Sequence, residues 1–427
     1  MVPRAALARG AAARGGPGAR RPVVTAAALP AAVVIGLDCM TGLQTARILA
    51  RRGVPVVGLA ADARHPCART RVCRQIVEGP IDGDGLLGTL AGLGPGLAAA
   101  GRAVLYPCTD AAVLTLSRGR DALAPWYRVV LPAPEVIETL LDKLRFHAYA
   151  EAAGLPVPPA FVLGSRADAV AAAARLTYPA VLKPPVKTAT WQAHTKAKVF
   201  RVEDPADFLA TYDRCQAWAD ALVVQAWVEG TDADLYSYNG YFGAGSEPLA
   251  GFVARKLRQW PPVTGTSCLG EECRNDTVRD VAERLFRAIG FTGLGYVELK
   301  RDRRTGAHFI IEPNVGRPTG RSAIAEAGGV ELLYTMYCDA VGLPLPAGRT
   351  QRYTGVKWLH LRRDAQSALH EWRGGRLTLG EWWRSWRGRK AHALWDAADP
   401  VPFWADIGHV VALGLRRGVT NPGRPTS

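Results

Sequence analysis

The chain has 427 residues, of which 48% are hydrophobic and 21% charged, a composition typical of a globular protein with two or three domains. Its net charge of +15 is concentrated at the two ends, because residues 1–30 carry five arginines and no acid, and residues 348–427 carry fourteen Lys and Arg against six Asp and Glu. The nearly neutral body argues against a nucleic-acid-binding domain, which would need a basic surface.

The cysteines and the apolar stretches indicate a reduced, cytoplasmic protein. None of the eight cysteines belongs to a CxxC pair or to a cluster with zinc spacing, so we expect free thiols. An apolar run from Pro22 to Leu37 follows Arg20 and Arg21, but Pro30 interrupts it, and no segment reaches the ~20 apolar residues of a transmembrane helix. We therefore predict a disordered Arg/Ala-rich tail over residues 1–30 and no membrane segment.

A first α/β domain is predicted over residues 31–134. Ala31–Leu37 and Val54–Leu59 are short β-branched runs separated by a helical stretch, which is the pattern of a βαβ unit in a parallel sheet. The loop after the first run lacks GxGxxG, which disfavours a dinucleotide-binding oxidoreductase. A later strand, Ala103–Tyr106, ends close to Asp110, which is either a ligand group at the carboxyl edge of the sheet or a helix N-cap.

A second region of helices and strands is predicted over residues 135–345. A helix beginning near Glu135 carries Lys143, and a strand further along the chain ends at Lys183. Lysines can hold phosphate oxygens as mobile point charges, although a single lysine is usually only solvated.

Two later stretches of this region carry further polar groups. The apolar strand Val223–Val228 runs into Glu229. The strand offers backbone groups for the edge of a purine, and Glu229 offers an acid for ribose hydroxyls. The segment RKLRQWPPVTGTSC, residues 255–268, is predicted as a basic, proline-containing loop that carries Lys256 and Arg258.

A β-hairpin with two glutamates follows. Gly295–Lys300 and His308–Asn314 are β-rich runs on either side of a polar turn. With the turn centred between them, Glu298 faces Glu312, and Asn314 projects from the same face as Glu312. Facing carboxylates repel unless a cation lies between them, and oxygen ligands suit Mg²⁺. The alternative is a pair of solvated glutamates.

Residues 346–427 differ in composition, since they contain seven of the twelve tryptophans, interleaved with arginine. Aromatic and arginine side chains can stack on bases, which would favour nucleic-acid binding. Trp382, Trp383 and Trp386 fall on one or two faces of a helix, however, and this favours a small helical appendage with internal packing.

The order and spacing of these signals resemble the ATP-grasp superfamily, in particular its carboxylate–amine ligase branch of D-aspartate ligase-like and amino-acid ligase-like proteins. The resemblance covers roughly residues 31–345, and its most specific match is VEL…IIEPNVGR in the hairpin. It implies a fold of α/β and α+β parts, with a Rossmann-like pre-ATP-grasp domain over 31–134. An ATP-grasp domain with ATP between two lobes would then cover 135–345, and a small Trp/Arg-rich C-terminal region would cover 346–427.

The resemblance also implies a role for each polar residue named above. The lysines that hold the nucleotide phosphates would be Lys143 and Lys183. The hinge with backbone contacts to adenine would be Gln225, Ala226, Trp227 and Val228, followed by Glu229 on the ribose. The ligands of Mg²⁺, as two ions that Mn²⁺ can replace, would be Glu298, Glu312 and Asn314. The side chains facing γ-phosphate, acyl phosphate or substrate carboxylate would be Lys256, Arg258 and Arg317, the last one residue later than in the common E-x-N-x-R form.

A carboxylate–amine ligase phosphorylates a carboxylate with ATP and joins the acyl phosphate to an amine, releasing ADP and phosphate. The expected partners are therefore small carboxylate and amine molecules, with a homodimer left open and nucleic acid not expected. Two other functions stay open at this point: another ATP-grasp reaction such as carboxylation, and nucleic-acid binding through the basic C-terminal region.

Overall fold

The computed structural model describes residues 29–185, 189–197, 199–262 and 265–419, with side chains described as far as residue 412. Most of the predicted N-terminal tail, residues 1–28, lies outside this described part. Leu29 and Pro30 lie inside it, and the Pro30 carbonyl accepts a hydrogen bond of 2.6 Å from Tyr337 Oη.

The first domain is a parallel sheet with helices packed against it, as the βαβ pattern predicts. Its strands are β1 (Ala32–Ile35), β2 (Val56–Ala60), β3 (Gln75–Glu78), β4 (Ala103–Pro107) and β5 (Tyr127–Arg128). Its helices are α1 (Met40–Arg51), α2 (Gly83–Leu97), α3 (Asp110–Arg118) and α4 (Arg120–Leu123). The strand order β3-β2-β1-β4-β5 changes direction at β1, so the loops after β1 and β4 open side by side at the carboxyl edge of the sheet.

The predicted helix near Glu135 is two helices, α5 (Pro134–Leu141) and α6 (Lys143–Ala152). Asp142 separates them, because its side chain accepts hydrogen bonds of 2.9 Å from the backbone N–H groups of Leu144 and Arg145 and so caps α6. Lys143 is therefore the first residue of a helix rather than a residue within one.

An antiparallel sheet forms the small lobe of the second region. Its strands are β6 (Ala160–Leu163), β7 (Ala180–Lys183), β8 (Phe200–Val202) and β9 (Leu222–Ala226). Its helices are α7 (Arg166–Ala173), α8 (Ala189–His194) and α9 (Pro205–Cys215). In the described ranges the strand order is β6-β9-β7-β8, which places the end of β7, with Lys183, next to β9. Trp191 and Phe208 lie in the core of this lobe.

A larger sheet forms the rest of the second region. Its strands are β10 (Leu235–Phe242), β11 (Pro248–Trp260), β12 (Thr266–Glu272), β13 (Gly293–Arg301), β14 (His308–Val315), β15 (Lys357–Leu359) and β16 (Lys390–His392). Its helices are α10 (Asp276–Ala288), α11 (Gly320–Ala327) and α12 (Leu332–Val341). Among the described residues the strand order is β14-β13-β10-β11-β12-β15-β16.

The prediction of a loop over residues 255–268 is wrong. β11 continues to Trp260 and pairs with β12, which begins at Thr266. Lys256 and Arg258 therefore lie in a strand of the large sheet rather than in a loop.

The large sheet is covered on both faces. One face packs Val297 and Leu299 of β13 against Phe286 of α10. The other face packs Leu294 of β13 together with Ile324 of α11. Because side chains alternate along a strand, Glu298 shares the face of Leu294 and lies on the side of the sheet that turns toward α11.

The C-terminal region is more than the predicted helical appendage. It contains α13 (Leu361–Arg373), α14 (Leu379–Ser385) and α15 (Val401–Val419). It also contributes β15, which pairs with β12, and β16, which pairs with β15. The region thus completes one edge of the large sheet.

The same region is also bound to the first domain. Asp399, 1% exposed, accepts hydrogen bonds from Arg47 Nε at 2.9 Å, from the Arg71 backbone N–H at 3.1 Å and from Thr70 Oγ1. Charged side chains are rarely buried without such partners, so these contacts fix the position of the segment before α15. None of the helices in the described chain has the length and apolar character that crossing a bilayer requires.

Candidate functional site

The hairpin of β13 and β14 has the predicted register at its centre. Glu298 pairs directly with Glu312, and Tyr296 pairs with Asn314. Opposed residues of an antiparallel pair share a face, so the two carboxylates and the Asn314 amide lie on the same side of the sheet.

A β-bulge in β14 makes this arrangement compatible with the core. Leu299 pairs with Ile310, which leaves Ile311 as the extra residue next to the Glu298–Glu312 pair. In a regular strand Ile310 and Glu312 would share a face, because they are two residues apart. With the bulge, Ile310 is 1% exposed in the core while Glu312 is exposed on the opposite face.

Glu298 is a buried carboxylate with two neighbours of its own. Lys256 Nζ lies 2.8 Å from Glu298 Oε2, and Tyr296 Oη donates to the same oxygen at 2.9 Å. Burial, and then the charge of Glu298, raise the pKa of Tyr296 well above its usual value, so this phenol keeps its proton. Sequence reasoning missed Tyr296, although its place two residues before Glu298 puts it on the same face.

A cavity of about 320 Å³ between the small lobe and the hairpin brings together several predicted residues. The predicted residues on its wall are Lys143, Lys183, Gln225, Glu312 and Asn314. Asp110 of the first domain also lines it, with apolar side chains such as Phe161 and Ile311. A mostly apolar wall with a few convergent polar groups is typical of a small-molecule site. The residues of the described chain that line this cavity do not include Lys256, Arg258, Glu298, Arg317 or residues 226–229.

Lys183 is the half-buried cation of this cavity. Its Nζ donates to Gln225 Oε1 at 2.8 Å, from β7 to the neighbouring β9. Burial and the nearby charge of Lys143 lower the pKa of Lys183 to about 8, while Glu312 acts in the opposite direction. Lys143, Lys183 and Glu312 therefore face the same space.

The predicted hinge has only part of its backbone free for a ligand. The N–H of Ala226 donates to Pro159 O and that of Trp227 to Pro179 O, both at 2.9 Å. These two donors belong to the small lobe, so a nucleotide base would have to use other backbone groups. Glu229, predicted on the ribose, lies 3.3 Å from Arg201 Nη2.

Lys300 of β13 lies beside the predicted hinge, and sequence reasoning missed it. Its Nζ lies 4.6 Å from the centre of the Trp227 ring, and the Arg201 guanidinium lies 5.3 Å from it. Burial lowers the pKa of Lys300, while the carboxylate of Glu229 opposes this shift. The large sheet and the small lobe therefore meet at Trp227.

Arg317 connects the hairpin to the first domain. Its Nε donates to Asp110 Oδ1 and its Nη2 to Asn314 Oδ1. Thr109, rather than Asp110, caps α3, since its side chain accepts from the Ala112 N–H at 3.1 Å. The Asp110 carboxylate, which lines the cavity, is thus available to hold Arg317.

Arg258 is placed differently from the expectation that it faces the substrate. Its guanidinium donates to both oxygens of Asp364 in α13, at 2.8 and 3.0 Å. Asp364 is 0% exposed and also accepts from the indole N–H groups of Trp382 at 2.9 Å and Trp386 at 2.7 Å. Arg258 therefore belongs to a buried contact between β11 and the C-terminal helices, while Lys256 alone of the pair reaches Glu298.

The oxygen atoms of the hairpin fit Mg²⁺ as part of its coordination shell. Glu298, Glu312 and Asn314 offer two carboxylates and an amide oxygen, which are ligands of the type that Mg²⁺ takes. Within the described ranges, no cluster of three or more His, Cys, Asp or Glu side chains could hold a metal ion. A set with so few protein ligands fits an ion that shares its coordination with phosphate oxygens, rather than one enclosed by protein.

Comparison of the sequence with known proteins gives relatives of one kind. Protein-family models give no match for this chain. A D-alanine–D-alanine ligase of Stutzerimonas stutzeri is 25% identical over 185 residues, which is 41% of this chain and 54% of that protein. A D-alanine–D-alanine ligase of Pseudomonas entomophila is 23% identical over 185 residues, with the same coverage. The chain thus spans about half the length of these relatives.

Solved structures resemble a larger part of the chain. An N5-carboxyaminoimidazole ribonucleotide synthetase in complex with ADP is 17% identical and has a TM-score of 0.59, covering 82% of this chain and 87% of that one. Biotin carboxylase of Campylobacter jejuni is 14% identical with a TM-score of 0.58, covering 77% of this chain and 74% of that one. The architecture shared with these structures is the ATP-grasp fold, and the similarity to the ligase relatives also points to the ATP-grasp superfamily.

Proposed function

We propose that the protein is an ATP-dependent carboxylate–amine ligase that forms an amide or peptide bond and releases ADP and phosphate. The observation that carries the proposal is the register of Glu298 with Glu312 beside a cavity that collects Lys143 and Lys183. Acidic oxygens and lysines around one space suit a nucleotide triphosphate with its divalent cation. The ligase relatives support this class of reaction.

The chemistry divides into two steps. An oxygen of the acid substrate attacks the γ-phosphorus of ATP, the bond from that phosphorus to the bridging oxygen breaks, and ADP leaves. The amine nitrogen then attacks the acyl carbon, the C–O bond to phosphate breaks, and phosphate leaves while the nitrogen loses a proton. Water must be excluded between the steps, because it would hydrolyse the acyl phosphate.

The residues of this chain have separable roles in these steps. Lys143 and Lys183 hold the nucleotide phosphates from the small-lobe side, and Lys183 with a pKa of about 8 is mostly charged at neutral pH. Arg317, held by Asp110 and Asn314, offers a cation for the acyl phosphate. Lys256 holds the buried carboxylate of Glu298 in place.

Glu298, Glu312 and Asn314 would hold Mg²⁺, as two ions or with Mn²⁺ in its place, and the bound cation supplies positive charge to the phosphoryl group during transfer. The adenine would lie at the hinge formed by Gln225, Ala226, Trp227 and Val228, with Glu229 on the ribose. Because the Ala226 and Trp227 N–H groups are used by the small lobe, we assign the remaining backbone donors and acceptors of the hinge to the base.

The substrates are proposed from the names of the relatives. Since the sequence relatives are D-alanine–D-alanine ligases, small D-amino acids are the first acids and amines to present. We further propose that the enzyme acts in the cytoplasm on small molecules, with a homodimer as its assembly, which light scattering would measure.

The test is ADP formation in the presence of ATP, Mg²⁺ and pairs of acids and amines. Glu312→Ala is expected to reduce turnover by about a hundredfold or more, because it removes an oxygen ligand of the Mg²⁺ that stabilises the transition state of phosphoryl transfer. Glu247→Ala, on an exposed turn, is the matched control and is expected to retain full turnover.

Two outcomes would reject the proposal. Unchanged turnover in Glu312→Ala would remove the assigned site. Turnover with bicarbonate as the only acid would indicate carboxylation instead of ligation. Carboxylation is the reaction that the name of one structural neighbour, biotin carboxylase, gives.

A further inference from the structure

Helix α15 exposes a stripe of large apolar side chains. Trp404, Ile407 and Val411 are 60%, 37% and 55% exposed, and their spacing of three and four residues puts them on one face of the helix. On another side of the helix, Asp406 pairs with Arg362 of α13 at 3.2 Å. A surface helix normally turns its apolar face toward the core, so a stripe that faces outward indicates a partner outside the chain.

Aromatic rings extend this stripe before the helix begins. Trp395 is 41% exposed and lies edge-on to Phe403, with the ring centres 5.3 Å apart, and the Phe403 ring lies 5.2 Å from that of Trp404. Indole rings are enriched at the boundary between lipid headgroups and acyl chains, because the ring is apolar and its N–H is polar. Trp395, Trp404, Ile407 and Val411 together are called the α15 face below.

Arginines of the first domain border the α15 face. A cavity of about 550 Å³ lies between α15 and the short 3₁₀ helix of residues 66–69, and Trp404 and His409 line it together with Arg64 and Arg69. The side chain of Arg64 is 88% exposed, and Arg69 is exposed as well. The two guanidinium groups therefore flank the exposed indole of Trp404 on the surface of the protein.

The acidic side chains near the α15 face are already paired. Each forms an ion pair with an arginine: Asp62 with Arg64, Asp396 with Arg51, and Asp406 with Arg362. These pairs do not include Arg69, and the end of the chain, residues 413–427, adds three arginines and no acid. The surroundings of the α15 face are thus basic, and an anionic surface would complement them.

An anionic bilayer fits this surface better than a second copy of the chain or a nucleic acid. In a two-fold dimer the face would meet itself and bring Arg69 no acidic partner. Nucleic acid would stack on the indoles but would leave Ile407 and Val411 without a use. A bilayer accommodates both kinds of group, because apolar side chains enter the headgroup boundary while arginines meet lipid phosphates.

We propose that α15 is an interfacial helix through which the protein binds reversibly to the surface of a membrane that contains anionic lipids. Trp404, Ile407 and Val411 enter the boundary between headgroups and acyl chains, and Arg64 and Arg69 contact the lipid phosphates. The helix lies in the plane of the membrane surface. Membrane binding of this kind is independent of the ligase reaction.

The test is co-sedimentation of the full-length protein with vesicles of phosphatidylcholine and with vesicles of equimolar phosphatidylcholine and phosphatidylglycerol. Wild type is expected to bind the anionic vesicles at least about tenfold more tightly, and salt should reduce this difference by screening the arginines. Arg69→Gln is expected to weaken binding to the anionic vesicles about fivefold without changing binding to phosphatidylcholine alone. Arg69→Lys keeps the charge and should bind like wild type.

The apolar contribution is tested by Val411→Gln, which is expected to weaken binding to the anionic vesicles at least about fivefold. Val170→Gln is the matched control, because Val170 is 50% exposed on α7 of the small lobe, outside the α15 face. This control variant should bind the vesicles like wild type.

Three outcomes would overturn membrane binding. The first is equal affinity of Val411→Gln and Val170→Gln for the anionic vesicles, or no sedimentation of wild type with either vesicle. The second is a lipid-free dimer in light scattering that Val411→Gln converts to a monomer, which would assign the α15 face to contact between two copies. The third is salt-sensitive binding of single-stranded DNA in place of vesicles, which would assign the face to nucleic acid.

Discussion

Lys183 shows how burial at one residue sets a property of the whole site. Its pKa of about 8 results from burial and from Lys143, with Glu312 opposing the shift. A lysine lowered in this way is charged below about pH 8 and neutral above it, unlike a solvated lysine. Its attraction for a phosphate group is therefore lost as the pH rises through this value.

We expect the affinity for ATP to fall as the pH is raised. Between about pH 7 and about pH 9 the dissociation constant should rise up to about tenfold, because Lys183 must then take up a proton to bind phosphate. Titration calorimetry at the two pH values measures this. Lys183→Arg stays charged and should bind with little dependence on pH. The same slope in both proteins would assign the effect to another group.

For single residues, the sequence predicted the contacts of a side chain only where its neighbours lie close along the chain or opposite it in a hairpin. Glu298 and Glu312 were predicted to face each other because a hairpin fixes their register through a short turn. The partner of Arg258 could not be predicted in this way, since Asp364 lies 106 residues later and reaches it only through tertiary packing. Arg258 was therefore assigned to substrate.

The bulge in β14 belongs to the scale of the secondary-structure element. It lets one strand place Ile310 in the core and Glu312 on the opposite face, two requirements that regular alternation cannot meet together. A single extra residue thus separates the hydrophobic core from the polar site within one strand.

Deleting Ile311 tests whether the bulge serves only to accommodate that residue. Ile310 and Glu312 then become neighbours, so regular pairing keeps Glu312 opposite Glu298 and Ile310 opposite Leu299, on opposite faces of the sheet. ATP turnover should therefore stay within about tenfold of wild type. Ile311→Ala keeps the extra residue, and because Ile311 is 37% exposed it should cost less than about 1 kcal/mol of unfolding free energy. A loss of turnover of about a hundredfold or more in the deletion protein would contradict this interpretation.

The elements themselves were predicted unevenly. The βαβ unit, the strand ending at Lys183 and the hairpin follow from local periodicity, and the structure has all three. The prediction of a loop at residues 255–268 is wrong, because strand pairing outweighs the preference of prolines and basic residues for loops. Pairing with β12 extends β11 to Trp260, so Pro261 marks only the turn.

On the scale of the whole molecule, Asp364 joins the C-terminal helices to the large sheet. It is 0% exposed and is matched by Arg258, Trp382 and Trp386. The tryptophans that raised the possibility of base stacking in the sequence thus have an internal partner. Composition alone could not distinguish internal packing from base stacking. The Asp364 carboxylate, which accepts from Trp382 and Trp386, is separated from both by a loop.

Asp364→Ala is expected to reduce the free energy of unfolding by about 3–5 kcal/mol, because it leaves the Arg258 charge buried and unpaired. Urea denaturation measures the loss. Asp213→Ala breaks an ion pair with Arg166 whose side chains are 44% and 46% exposed, and it should cost less than about 1 kcal/mol. Equal losses in the two variants would mean that Asp364 has no special structural role.

The two attachments of the C-terminal region have a mechanical consequence. Through Asp399 the region is fixed to the first domain, and through β15 it is fixed to the large sheet, so it braces these two bodies against each other. The small lobe meets the large sheet at Lys300 and Trp227, outside this brace. We therefore expect the cavity to open by rotation of the small lobe against the other two bodies, and in the proposed ligase this rotation would release ADP.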